Sequence, residues 1–177
     1  MNALVSSYRR RTDQAILQQE SLGRVYVVHP GQVATAMAGE RLETLLGSCV
    51  SVILTDPRRT IGAMCHIVHV GVRGGSGHLN AAHGSVALQT MEDMLMSVGV
   101  NPGMCHAYVY GGGNQFPTLY RRTHVGANNV AWVMHALQRK HIHIVHADVG
   151  GEVYRRVRWM VGHGAPDVSA TPIQGEE

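Results

Sequence analysis

The chain has 177 residues, 45% apolar and 15% charged, a composition that suits one globular domain with a buried core and argues against wholesale disorder. A formal net charge of +3 is too weak to argue for nucleic acid or a membrane surface, and Arg9-Arg10-Arg11 reads as a solvated basic arm. No signal-peptide pattern and no run of about 18 apolar residues is present, so the expectation is a cytoplasmic protein without membrane insertion. Three cysteines, Cys49, Cys65 and Cys105, then make a disulfide framework improbable and leave thiols to be explained by packing or by chemistry.

In chain order, residues 1–22 read as a flexible N-terminal arm, 23–165 as the folded domain and 166–177 as a flexible, small and polar tail. Val25 to Val28 has strand character and ends in His29-Pro30-Gly31 turn chemistry. Val50 to Leu54 is a second strand closed by Thr55-Asp56-Pro57, and Ile61 to Val70 is a third, apolar on both faces and therefore buried. Gly71 to Gly77 is a glycine-rich link. The spacing of Leu88, Met91, Leu95 and Val98 predicts a helix over 85–98, with Ser85 as N-cap and Gly99 at its end. His106 to Tyr110 is a strand running into Gly111-Gly112-Gly113. Asn128 to Arg139 is a helix with Val130, Val133, Met134 and Leu137 on one face. Ile142 to His146 and Val153 to Met160 are late strands joined through Asp148-Val149-Gly150-Gly151.

Chemistry centres on Leu46-Gly47-Ser48-Cys49-Val50, where a turn meets a strand. Glycine permits close backbone approach, and successive N–H groups of Gly47 and Ser48 at such a junction are candidates for binding an oxyanion. A thiol becomes a nucleophile only when deprotonated, so an imidazole is its expected partner. His66 lies on the next strand, and a short Asp56-Pro57-Arg58-Arg59 turn between antiparallel strands brings facing residues within about 5 Å. Pattern alone leaves a catalytic Cys–His pair and a pair of packed core residues both open.

Thr44 to Val52, then Asp56-Pro57, then Gly62-Ala63-Met64-Cys65-His66 resembles the signature of the chemoreceptor glutamine deamidase (CheD) family. Val109-Tyr110-Gly111-Gly112-Gly113-Asn114, Val125 to Val130, and Asp148-Val149-Gly150-Gly151 with Arg155 or Arg156 resemble its later motifs in the same order. The likeness spans roughly residues 24 to 165 and departs from the pattern at Ala127 and Asn128, and over Leu79 to Gly84, which has no tyrosine. It implies an α+β fold, a single-domain three-layer α/β/β sandwich with mixed sheets of cysteine-hydrolase type. It places the catalytic cysteine at Cys49, its histidine 17 positions later at His66, and a catalytic threonine at Thr44. The implied reaction is hydrolysis of glutamine side chains on the cytoplasmic helices of chemoreceptors, without a cofactor, by a thiol that reacts fast at neutral pH. A CheC-type chemotaxis phosphatase is an implied further partner. The competing reading is a non-catalytic or weakly catalytic binding module that regulates such a phosphatase.

Twelve histidines invite a metal site, but His66 and His69 face opposite sides of a strand, and no CxxC or HExxH pattern accompanies His141, His143 and His146. The expectation is therefore no metal. The glycine runs lack a Walker or dinucleotide fingerprint, and Cys65 and Cys105 read as packing thiols.

Overall fold

The computed structural model describes residues 23–71, 80–121, 123–162 and 164–173. The expected arm over 1–22, most of the Gly71 to Gly77 link and the last four residues lie outside the described residues.

Among the described residues, nine strands form two mixed sheets. One has the order β1 (Val25–Val27), β3 (Arg41–Leu46), β8 (Val153–Met160), β9 (Asp167–Pro172). The other has the order β2 (Val33–Met37), β5 (Ile61–Cys65), β4 (Val50–Thr55), β6 (His106–Gly111), β7 (His143–Val149). β1 and β3 run parallel, as do β6 and β7, and every other neighbouring pair is antiparallel. Among the described residues there are also two helices, α1 (Gly84–Ser97) and α2 (Val125–Arg139), and a 3-10 turn at Pro102–Met104.

The layering follows from which side chains are apolar on which face. Val50, Val52 and Leu54 of β4 point toward Leu88, Met91 and Leu95 of α1 and Val133 and Leu137 of α2. Ile53 of the same strand points the other way, to Leu42, Leu46, Val157 and Trp159 of the four-stranded sheet. β4 is therefore buried along its whole length and belongs to two cores. This is the expected α/β/β sandwich, with the five-stranded sheet as the middle layer.

Several elements depart from expectation for local reasons. The strand expected over Ile61 to Val70 stops at Cys65, and beyond it only single bridges form, Val50 with Ile67 and His69 with His83. The N-cap of α1 is His83, whose Nδ1 accepts from the Ser85 N–H while its Nε2 bonds the Gly71 carbonyl at 2.9 Å. An imidazole nitrogen caps as an Asx oxygen does, a role sequence rules assign to Ser85. Val98 is the C-cap and is 55% exposed, so the apolar stripe ends at Leu95. α2 begins three residues before Asn128, capped by His124. Asp167–Pro172, expected to fray, is a strand because β8 offers it a complete antiparallel register from Val153–Pro172 to Arg158–Asp167. β2 and β3 were not foreseen; short or polar strands carry little period-two signal on their own.

The turn after β6 closes the sandwich. Gly111 and Gly112 hold φ of 108° and 69°, and a side chain at Gly126 would put its Cβ 2.4 Å from the Gly112 carbonyl and 2.6 Å from that of Gly113. α2 is thereby seated with its first turn against the glycine turn. Gly126→Ala should lower stability by about 1–3 kcal/mol through overpacking, read as a lower urea midpoint at unchanged slope. An unchanged midpoint would contradict this seating.

Candidate active site

Cys49 occupies the short crossing between β3 and β4, from the four-stranded to the five-stranded sheet. Its carbonyl accepts from the Gly112 N–H at 2.8 Å, and the Gly47 carbonyl accepts from Gly113 N–H at 2.8 Å. Asn129 of α2, 1% exposed, donates from Nδ2 to the Ser48 carbonyl at 3.2 Å and to the Val68 carbonyl at 3.0 Å. Gly47, Ser48 and Cys49 are thus held by their carbonyls. The N–H groups of Ser48 and Cys49 meet no acceptor among the described residues.

Val50 pairs with Ile67, and Ile53 with Met64, which sets Ser51 opposite His66 and Cys49 one diagonal step away on the face between the sheets. Cys49 and His66 are therefore diagonal neighbours, a register the sequence left open, with about 7 Å between backbone positions. Cys49 is half-buried and His66 buried.

Thr44 reaches His66 from β3. Its Oγ1 donates to the Val28 carbonyl at 2.7 Å and lies 2.9 Å from His66 Nδ1, which is itself 3.3 Å from the same carbonyl. A hydroxyl has one proton, and a carbonyl can only accept. With the Thr44 proton on Val28, Nδ1 must carry a proton and donate it to Thr44. The lone pair of neutral His66 is then on Nε2. The structure thus brings Thr44 and His66 into contact, and it sets Cys49 on the same face.

Burial pushes the Cys49 thiol above its ordinary value of 9.0. Burial also holds His66 below 6.5, with the Val28 carbonyl opposing and His29 reinforcing that shift. Desolvation disfavours the charged form of each group, so the resting pair is neutral thiol and neutral imidazole. Burial thus runs against the expectation of a thiol that is fast at neutral pH. Cys65 and Cys105 are pushed further, to about 12 and about 11, by burial in the helix-side core, with Asp56 adding to Cys105.

A cavity of about 440 Å³ opens beside the crossing, lined by residues including Ser48, Gly113, Gln115, Phe116, Tyr120 and Val125. Its volume suits one extended side chain and the edge of a helix. Phe116, Tyr120 and Val125 are each more than half exposed at its rim. Sequence reasoning missed Asn129 as the clamp on Ser48 and Gln115 in the cavity wall, and it left Arg155 and Arg156 as alternatives, of which the structure buries Arg155. Arg155 reaches Asp148 Oδ1 at 2.8 Å and the Gly150 carbonyl at 2.7 Å, fixing the turn on which Asn114 N–H also rests. Only tertiary pairing reveals these roles. Among the described residues no three His, Cys, Asp or Glu side chains gather as a metal site would require.

The alkylation rate of Cys49, mapped by peptide mass spectrometry, should climb with pH through and beyond 9.0. A plateau already reached at neutral pH would mean a preformed thiolate–imidazolium pair.

The family model described as CheD chemotactic sensory transduction matches residues 71–169, downstream of Thr44, Cys49 and His66. A probable chemoreceptor glutamine deamidase CheD from Pseudomonas fluorescens (strain SBW25) is 31% identical over 150 residues, covering 83% of this chain and 85% of that one. A probable chemoreceptor glutamine deamidase CheD 3 from Dechloromonas aromatica (strain RCB) is 33% identical over 140 residues, with coverage of 77% and 82%. A CheD relative with the same printed activity from Methanococcus maripaludis is 26% identical over 141 residues, with coverage of 80% and 92%.

Proposed function

The chain belongs to the CheD family, and from that premise we propose that it deamidates glutamine side chains of chemoreceptors to glutamate, with Cys49 as nucleophile, His66 as general base and Thr44 orienting the imidazole. The observation that carries the assignment of roles is the Thr44–His66 hydrogen bond, because it leaves the basic lone pair on the nitrogen that is not tied up.

In this reading a receptor glutamine enters the cavity beside Ser48. Sγ of Cys49 bonds to the carboxamide carbon while its proton passes to His66 Nε2, and the carbonyl π pair moves onto oxygen. The free N–H of Ser48 supports its half of the expected Gly47–Ser48 oxyanion pair, and the free N–H of Cys49 offers a second donor, each such donor being worth roughly 3 kcal/mol in the transition state. The tetrahedral adduct collapses, the C–N bond breaks, and the His66 proton leaves with ammonia. Water, deprotonated by His66, then cleaves the thioester to give glutamate and the free thiol. No cofactor enters the balance.

The exposed Phe116, Tyr120 and Val125 support a helical partner, since an amphipathic helix bearing the glutamine would cover them. Each turnover replaces a neutral side chain with a carboxylate, which alters repulsion between neighbouring helices and so biases the receptor's signalling state. The substrate helices are cytoplasmic, and we place the protein there. No helix among the described residues is long and apolar enough to cross a membrane. A CheC-type phosphatase is a further partner in this proposal, one the family resemblance suggests.

Incubation with a chemoreceptor cytoplasmic fragment should add about one mass unit at each converted glutamine, and Cys49→Ala should stop it. Conversion that survives Cys49→Ala would remove the nucleophile assignment, and no conversion by the wild type would favour a binding module. Thr44→Val should cut kcat by at least about 10-fold, by releasing the tautomer and orientation of His66. The acid limb of kcat/KM should fall with a midpoint below 6.5, because only neutral His66 accepts the thiol proton and burial holds its pKa down. A midpoint above that value would contradict the buried neutral base.

A further inference from the structure

The carboxamide of Gln115 lies directly on Gly47. A methyl group built on that glycine would fall 1.4 Å from Nε2, 2.5 Å from Cδ and 3.1 Å from Oε1. Gln115 and Ser48 share one cavity wall. The amide therefore covers the peptide that leads into Ser48 and Cys49, a position only a residue without a side chain at 47 permits.

Its backbone is anchored on both sides. Asn114 N–H donates to the Gly151 carbonyl at 2.8 Å, Asn114 Oδ1 accepts from Phe116 N–H at 3.2 Å, and Asn114 Nδ2 bonds the Tyr120 carbonyl. The side chain of Gln115, by contrast, meets no hydrogen-bond partner among the described residues. A fixed backbone with an uncommitted carboxamide in the cavity is the arrangement of a group kept for a ligand. The neighbouring N–H groups of Ser48 and Cys49 are uncommitted in the same sense.

We propose that Gln115 is a catalytic residue whose Nε2–H group forms, with the backbone N–H groups of Ser48 and Cys49, the oxyanion hole of this site. The proposal rests on the assignment of Cys49 as nucleophile. As the Sγ–C bond forms, the π pair of the acyl group moves to oxygen, and the thiol proton goes to His66. The new negative charge then sits on the oxygen alone. A carboxamide is suited to meet it: it donates, and it carries no charge of its own that would bind water or a counter-ion tightly. The amide can turn about its last bond to present nitrogen to the oxygen, since neither of its ends is tied elsewhere.

Acyl transfer and alkylation separate this role from simple packing. Attack on p-nitrophenyl acetate passes through an oxyanion, whereas attack on iodoacetamide displaces iodide at a saturated carbon and forms none. Gln115→Met keeps length and bulk without the donor. It should slow the nitrophenol burst and Cys49 acetylation, followed by peptide mapping, by about 100-fold. Cys49 alkylation should proceed at the wild-type rate, and receptor glutamine conversion should lose kcat rather than gain KM. Gln115→Glu should be slower still in acylation, because its carboxylate repels the oxyanion. Unchanged acylation in Gln115→Met overturns the proposal, as does a loss shared equally by alkylation. Gln115-dependent acylation of Cys49 with receptor glutamines left intact would instead keep this role and remove the receptor deamidase reading.

Discussion

Three segments of the chain meet on the backbone of Gly111–Gly113, and the site exists because that backbone has no side chains to keep them apart. Gly112 and Gly113 donate to the carbonyls of Cys49 and Gly47, Gly111 accepts from Gly150 N–H, and Gly126 at the start of α2 presses on the Gly112 and Gly113 carbonyls. A Cβ on Gly111 would sit 2.2 Å from the Cys49 carbonyl oxygen. The contacts use the carbonyl side of the Gly47–Cys49 crossing, and they leave the N–H groups of Ser48 and Cys49 without an acceptor among the described residues. Holding a loop by its acceptors is what frees its donors for a developing oxyanion.

The electrostatics of the pair come from the same enclosure. The layer between the sheets supplies few polar partners, so both thiol and imidazole are held in their neutral forms. What orients His66 is a pair of uncharged oxygens, the Thr44 hydroxyl and the Val28 carbonyl, in the place a carboxylate occupies in many triads. The two oxygens fix the tautomer, and burial holds the ring's pKa down against the upward pull of the Val28 carbonyl. Proton transfer would then coincide with attack, so that charge appears only when the acyl oxygen is in place to share it.

The buried Arg155 shows a similar economy further out. Its guanidinium ties Asp148 and Gly150 together, and Asn114 rests on the neighbouring Gly151. The cavity wall that includes Gln115 and Phe116 is therefore braced against β8 and the turn before it, not only by its own loop. Its exposed apolar rim is the natural counterpart of an apolar helix face.

The sequence by itself determined the strands β4, β6 and β8 and both described helices to within a few residues, and its resemblance to one family singled out Cys49, His66 and Thr44, of which the structure joins Thr44 to His66 by a hydrogen bond. Those features rest on local period, on glycine, and on short motifs whose residues are neighbours in the chain. It did not determine the tail strand, which exists only because β8 offers a free edge, or the histidine caps of both helices. Nor did it determine the diagonal seat of Cys49 against His66, since register is a property of two strands. Tertiary structure alone decided the burial that pushes the Cys49 thiol up, because desolvation depends on what packs over it. It also decided that Asn129 clamps Ser48 and Gln115 covers Gly47, contacts between residues far apart in the chain that no spacing rule records.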